Sequence, residues 1–367
     1  MTSRHASDGG RRGIATWIIA TAVAVVLVAG AVTAYLFIVG DDDEAVAACQ
    51  SQVVLPVVAA PGVAAAITSA AASFDATAPV ARSACVSTSV TSLPDDEAAA
   101  ALAADWQSAT GTAPAMWVPE SEAALVDLES TDSAMTAGRD GDPIATSPVV
   151  LAVRDDDAAD VTAAGPRWQS LDETVGPDGI ALPSGGTLIL ALPDPSTNRA
   201  TSYALQSVIA AGDGTILDPA AVTAAATDLA ALGAGGPTTQ PETTEDALTQ
   251  LAAGTGGFTA VPVLASDLAA FTATTPGLTG ISPTGNTVGD RVFAVPLAAG
   301  WVDPTLEDAS ALFLAYLRGT GGDQAFTENG LLVEGSGGGA AAVTVVPAAG
   351  AEVDDALATA IGAAPAG

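Results

Sequence analysis

The chain has 367 residues, with 42 acidic side chains against ten basic ones and a formal net charge of −32. All ten basic residues are arginines, and the single histidine is His5. Charge of this sign excludes nucleic acid as a partner. The composition beyond position 5 also excludes Ser-His-Asp and Cys-His machinery, His-ligated zinc, and any lysine-dependent dyad, Schiff base or P-loop.

The first predicted element is a membrane span. Residues 14–39 read IATWIIATAVAVVLVAGAVTAYLFIV without a charge. At about 1.5 Å per residue such a helix crosses a hydrocarbon core of roughly 30 Å. Arg4, Arg11 and Arg12 precede it, and Asp41, Asp42, Asp43 and Glu44 follow. This asymmetry keeps the N-terminus, 1–13, in the cytoplasm and sends the rest out. Trp17 and Tyr35 suit the two interfaces. A cleaved signal peptide is the rival reading, but its apolar core runs only about 7–15 residues. Val46-Ala47-Ala48-Cys49 loosely resembles a lipobox, yet four acids separate it from the apolar run.

Past the span and an acidic stalk, 40–48, Asp8 and the first three arginines drop out of the tally. What remains is 41 acidic residues against seven arginines, a net of −34. Cys49 and Cys85 both lie on this outer side, where a disulfide persists. Closing that loop would stabilise the fold by about 3–4 kcal/mol in the chain-entropy model. Two buried thiols, or lipidation of Cys49, are the alternatives. The outer part is long enough for two lobes.

In chain order, QVVLPVVA (52–59) reads as a buried strand. Pro61 and Gly62 break it, and 63–74 has helical spacing. CVSTSVT (85–91) alternates as a second strand. Pro94 with Asp95, Asp96 and Glu97 opens a helix reaching Trp106. AMWVP (115–119) is a third strand, and Ser121 can cap the helix after it. IATSPVVLAV (144–153) is a longer strand that can pass between lobes. TLILAL (187–192) begins a second set of elements, with helices after Asn198, at 219–232 and at 244–253. FTAVPVL (258–264) is a strand, with Ser266 placed to cap a short helix. RVFAVPL (291–297) returns, and Asp303-Pro304 opens a helix with an apolar stripe at Ala309, Leu312, Phe313, Tyr316 and Leu317. Gly319 fits its end. Beyond a Gly-rich linker at 336–339, a strand and helix or a disordered end fit equally. Strand–helix alternation of this kind predicts mainly parallel sheets with helices on both faces.

The succession resembles the type II periplasmic-binding-protein family, in its molybdate/sulfate-like branch and in actinobacterial membrane-anchored substrate-binding proteins. The similarity lies in Phe258 to Asp267, a strand ending at a Ser-Asp helix start, and in the return at Arg291 to Leu297. It also lies in Phe313, Tyr316 and Leu317 followed by Gln324, Phe326 and Gly330. Nearer the start it rests on Trp117-Val118-Pro119-x-Ser121 and on Ala145-Thr146-Ser147-Pro148-Val149. Many anchored relatives carry a von Willebrand factor A domain, but no D-x-S-x-S motif is present here.

The resemblance implies an α/β, two-lobed fold: a first lobe from 49–147 and 291–334, a second from 148–290, and a tail at 335–367. It further implies a monomer anchored in the cell membrane with its outer domain extracellular. An unnamed small ligand would lie between the lobes, with a transporter or other envelope protein as partner and no cofactor or metal. Backbone amides and hydroxyls at helix N-termini would hold that ligand. Carried over, these are Pro61, Gly62, Ser121, Thr146 and Ser147, then Ser196, Thr197 and Asn198 with Arg199 as counter-ion. Ser121 and Ser196 can equally be ordinary N-caps, and Trp117 a core aromatic. Oxyanion binders offer a hydroxyl after the first strand, whereas this chain reads Ala59-Ala60-Pro61-Gly62. A solute-binding protein is therefore expected, not an enzyme. A ligand-free scaffold is the main alternative, and a carboxylate-dependent glycan hydrolase a distant one.

Overall fold

The computed structural model describes residues 49–107, 111–136, 142–171, 180–210, 217–333 and 344–362. The expected span at 14–39 lies outside them. Among the described residues, no helix is long and apolar enough to cross a membrane. Cys49 and Cys85 are disulfide-bonded.

The first lobe is built on a five-stranded sheet in the order β11-β4-β1-β3-β2. Its centre is β1 (Ser51–Ala59), parallel to β3 (Ala84–Ser92) and to β4 (Met116–Val118). Short β2 (Val80–Ala81) and β11 (Val295–Pro296) run antiparallel at the edges. The second half of β1 is buried on both faces, as its run of Val, Leu and Ala requires. Pro56 fits within it because pairing with β4 begins only at Val57. Against this sheet pack α1 (Pro61–Asp75), α10 (Pro304–Leu317) and α11 (Thr320–Glu328), while α2 (Asp95–Ala103) and α3 (Glu122–Asp132) pack together. Phe74, Trp117, Phe293, Phe313 and Phe326 fill the core. Trp117 is fully buried there.

The second lobe is organised around β5 (Ala145–Arg154), the longest strand. On it pair β8 (Ala260–Leu264), β9 (Leu278–Ile281) and β10 (Asn286–Val292), all antiparallel. The mainly parallel expectation therefore holds for the first lobe and fails here. The reason is topological: β5 leads out of the first lobe and β10 leads back, so the two must run in opposite directions. The helices are α4 (Asp155–Ala164), α5 (Arg199–Ile209), α6 (Pro219–Ala224), α7 (Ala226–Ala234), α8 (Thr244–Ala252) and α9 (Ala265–Thr274). One apolar cluster includes Leu151, Trp168, Leu205 and Leu264, and a second includes Leu248, Phe258 and Val261.

Several expected elements differ. Of TLILAL only the first two residues form a strand, β7 (Thr187–Leu188), paired with β6 (Ile180–Ala181), and a single bridge joins Leu190 to Ala260. Here Ile189 O accepts from Thr259 and Ala260 N–H, and Ala191 N–H donates to Ala260 O. Ile189 N–H donates to the Thr259 hydroxyl and Leu192 N–H to the Gln240 side chain, so side chains complete a pairing that the backbone at 259–260 only begins. The helix expected to reach Trp106 stops at Ala103, because Asp105 and Trp106 take positive φ. The single helix expected at 219–232 is two, meeting at Ala225. Ser266 lies inside α9 and does not cap it. Gly319 follows Arg318, the C-cap of α10, as expected, its N–H donating to Tyr316 O at 3.0 Å, and it is also the residue before α11.

The C-terminal segment forms β12 (Thr344–Val346), parallel to β10, and α12 (Ala351–Ala360). Val346, Val353 and Leu357 are buried in the second lobe's core. Ala349 N–H donates to Gln206 Oε1 at 2.8 Å, and Ser202 donates to Asp354. This segment is a structural part of the second lobe.

Candidate functional site: the interlobe cleft

The helix that follows β1 begins without a side-chain cap, since Ala60 in the cap position has no hydroxyl to offer. Its first-turn amides need acceptors from elsewhere. Glu120, immediately after β4 and Pro119, supplies one: Gly62 N–H donates to Glu120 Oε2 at 3.0 Å. A Cβ at Gly62 would lie 2.5 Å from that oxygen, so a larger residue there would displace the Glu120 carboxylate. Glu120 is fixed through its backbone as well, its N–H donating to Asp95 Oδ2 at 3.2 Å.

The other carboxylate oxygen of Glu120 faces the second lobe. Arg199, the first residue of α5, places Nη2 2.8 Å from Glu120 Oε1 and 3.3 Å from Asp290 Oδ2. Asp290 sits on β10, almost fully buried, and accepts a 2.7 Å hydrogen bond from the Tyr203 hydroxyl. A cation at a helix N-terminus opposes the dipole. The two carboxylates offset that cost, and Asn198 caps the same helix by accepting from Thr201 N–H at 2.9 Å. A second pair lies nearby, on the crossing strand β10: Arg291 Nη1 is 3.0 Å from Glu122 Oε2.

Glu120 and Asp290 pair with this guanidinium, and Asp95 and Asp267 lie within its electrostatic reach. The electrostatics follow. Burial, aided by the charge of Glu120, pushes Asp95 up to about 7. Burial pushes Asp290 up to about 6 against the opposing pull of Arg199. Asp267 is raised by burial too. Burial disfavours the charged Arg199, but Asp290 and Glu120 outweigh it and hold the guanidinium protonated. The Tyr203 phenol is raised by burial and by Asp290, so it remains a donor.

Beside this network a solvent-open pocket of about 480 Å³ is lined by Thr197, Asn198, Arg199, Thr243, Thr244 and Asp267, with Glu242 and Glu245 at its wall. That volume lies in the range of small-molecule sites. The capped N-terminus of α8 contributes Thr243 and Thr244, and Asn198 Nδ2 donates to Thr244 Oγ1 at 2.8 Å.

The residues singled out from sequence fall into distinct groups. Gly62 and Arg199 meet through Glu120, with Pro61 at the exposed start of α1. Thr197 and Asn198 line the pocket beside Arg199. Ser121 caps α3, accepting from Ala124 N–H at 3.4 Å. Ser196 does not cap α5: its N–H and hydroxyl both donate to Asp194 Oδ1 in the preceding turn. Thr146 exchanges backbone hydrogen bonds with Leu332. Ser147 is buried, its hydroxyl 2.9 Å from that of Ser266. Glu120, Asp290, Asp267, Asp95 and Tyr203 were not anticipated. Two of them carried a local signal: Glu120 is the open position of Trp117-Val118-Pro119-x-Ser121, and Asp267 belongs to the Ser-Asp helix start.

Two α/β lobes joined by crossing strands, with a polar cleft at the helix N-termini, define a type II periplasmic-binding-protein-like domain. Residues 55–332 match the family described as bacterial extracellular solute-binding protein, and the chain belongs to that family. Uncharacterized protein Rv1836c of Mycobacterium tuberculosis H37Rv is 30% identical over 217 residues, 56% of this chain and 32% of the relative. The chain thus spans about a third of the length of the curated relatives it matches. The fold is shared by the sulfate-binding protein SubI of the same organism, with TM-score 0.51 at 15% identity over 85% of this chain and 96% of that one. A Bordetella ferric binding protein superposes with TM-score 0.52 at 13% identity, over 84% and 95%.

Proposed function

We propose that this chain is a membrane-anchored, extracytoplasmic solute-binding protein that takes a small polar ligand between its lobes and presents it to a transporter or sensor in the same membrane. The observation that carries this reading is the position of Arg199. It stands in the wall of an open pocket on the second lobe while pairing with a carboxylate of the first. A ligand that reached from that pocket past Arg199 to the first lobe would contact both lobes only when they are closed, and its binding energy would then favour closure. The apolar run at 14–39 with its flanking charges supports the anchor.

The test is a thermal-shift screen of the full chain in detergent micelles against amino acids, sugars, oxyanions and divalent cations. A ligand at 100 times its Kd raises stability by about 2.7 kcal/mol and the melting temperature accordingly. An unchanged melting temperature across the library would favour the second reading, a ligand-free envelope scaffold on the same fold. That reading draws on one observation: Glu120 already occupies the amide at the start of α1.

A further inference from the structure

Glu120 is bound as a ligand would be. One oxygen rests on the Gly62 amide of the first lobe and the other on Arg199 of the second. In its own lobe it has a carboxylate for a neighbour, since its backbone N–H is held by Asp95. Separation of the lobes would leave Glu120 beside Asp95 without its cation. Arg199 would be less affected, because Asp290 lies in its own lobe and stays with it. Closure is thus what neutralises Glu120.

We infer that Glu120 is a tethered surrogate ligand, a latch that holds the lobes together until a solute carrying its own carboxylate or phosphate displaces it from Arg199 and Gly62. This rests on the solute-binding reading above and deepens it by naming the class of solute. A carboxylate or phosphate matches an amide N–H and a guanidinium best, because its hydrogen bonds to the guanidinium are charge-assisted and the stronger for it. The pocket next to Arg199 sets the other end of the molecule. Its wall carries Asp267, Glu242 and Glu245, so the remainder of the solute is cationic or rich in donors. A small zwitterion of the amino-acid type satisfies both demands. The absence of a hydroxyl at Ala60 agrees with this, because the carboxylate of Glu120 fills the role that a cap would have there.

The experiment compares the full chain with Glu120→Gln and Gly62→Ala, by hydrogen exchange and by solute affinity. Glu120→Gln keeps shape and removes charge. Gly62→Ala keeps the charge and displaces it, since the new Cβ would sit 2.5 Å from Oε2. If the latch exists, amides at 60–66 and 197–203 exchange roughly tenfold faster in both variants, while the central strand at 149–153 is unchanged. Exchange equal to the parent chain in both variants overturns the latch, whatever binds. The probes for affinity are free L-amino acids, the matching amines without the carboxylate, and the matching acids without the amine. Amino acids should bind Glu120→Gln roughly tenfold more tightly than the parent, because the competitor is gone. Equal or weaker binding than the parent overturns the displacement. If no probe or library solute binds either chain, the solute-binding reading fails, and the exchange result still decides the latch.

Discussion

Arg291 on β10 pairs with Glu122 at the first position of α3, two residues beyond the Glu120 held by Arg199. The loop after β4 is therefore clamped twice, by an arginine of the second lobe and by one on a strand that crosses between the lobes, in a chain with only seven cations beyond residue 40. The Arg291 guanidinium also lies 5.3 Å from the centre of the Phe293 ring. Arg291→Gln should lower stability by about 1 kcal/mol, with a coupling to Glu122→Gln of about 0.5–1 kcal/mol in a double-mutant cycle. The coupling should fall in high salt. Independent, additive effects of the two substitutions would remove the clamp from the account.

Burial of Asp95 gives the protein an unusual pH response. Its carboxyl is raised to about 7 in the fold, so the folded state binds more protons than the unfolded chain between about pH 4 and 7. The stability this group contributes is present below its unfolded value and is lost as pH rises through its folded one. Asp95→Asn should therefore be more stable than the parent at pH 8, by about 1–3 kcal/mol, and indistinguishable near pH 4. Urea denaturation at the two pH values reads this directly. A variant less stable at pH 8 would show that the charge of Asp95 is used.

Tyr203 is the hydrogen-bond donor to the almost fully buried Asp290. Tyr203→Phe leaves Asp290 Oδ1 without that partner and should cost about 1–3 kcal/mol in urea denaturation. It should also raise the Asp290 carboxyl further, since the hydroxyl favours the ionised form. A loss below about 0.5 kcal/mol would mean that Arg199 alone sustains the charge.

Removing the C-terminal strand and helix should weaken the second lobe rather than trim a tail. Val346, Val353 and Leu357 leave the core, Gln206 loses its bond to Ala349, and the β12 side of β10 is uncovered. A chain ending at residue 343 should lose on the order of 5 kcal/mol by area burial. Denaturation midpoints matching the full chain would refute this.

Much of the architecture was legible because it is local. The run at 52–59 is short, β-branched and apolar, and it is the central strand. Asp303 with Pro304 marks the start of α10, where the Asp303 carboxylate accepts from Thr305 and Leu306 N–H at 2.8 and 3.0 Å. TLILAL misled because apolar content does not set how far a strand pairs: beyond Leu188 the backbone meets 259–260 at a single bridge, and the side chains of Thr259 and Gln240 take the Ile189 and Leu192 amides. Ser196 misled for a related reason: Asp194 captures its hydroxyl, and Asn198 two residues later is the cap.

The cleft was half legible. Gly62 and Arg199 stood out by chain position, one at a strand-to-helix turn and the other as a rare cation at a helix start. Their common partner did not, because among 41 acidic residues no single glutamate is distinguished by its neighbours in sequence. The sequence by itself determined the charge, the excluded chemistries, the two-lobed plan and the helix starts that face the cleft, since periodicity and caps act within a few residues. Tertiary structure alone decided that Glu120 joins Gly62 to Arg199 and that the C-terminal segment completes the second lobe. Those contacts join parts of the chain far apart in sequence, which local periodicity and caps do not register.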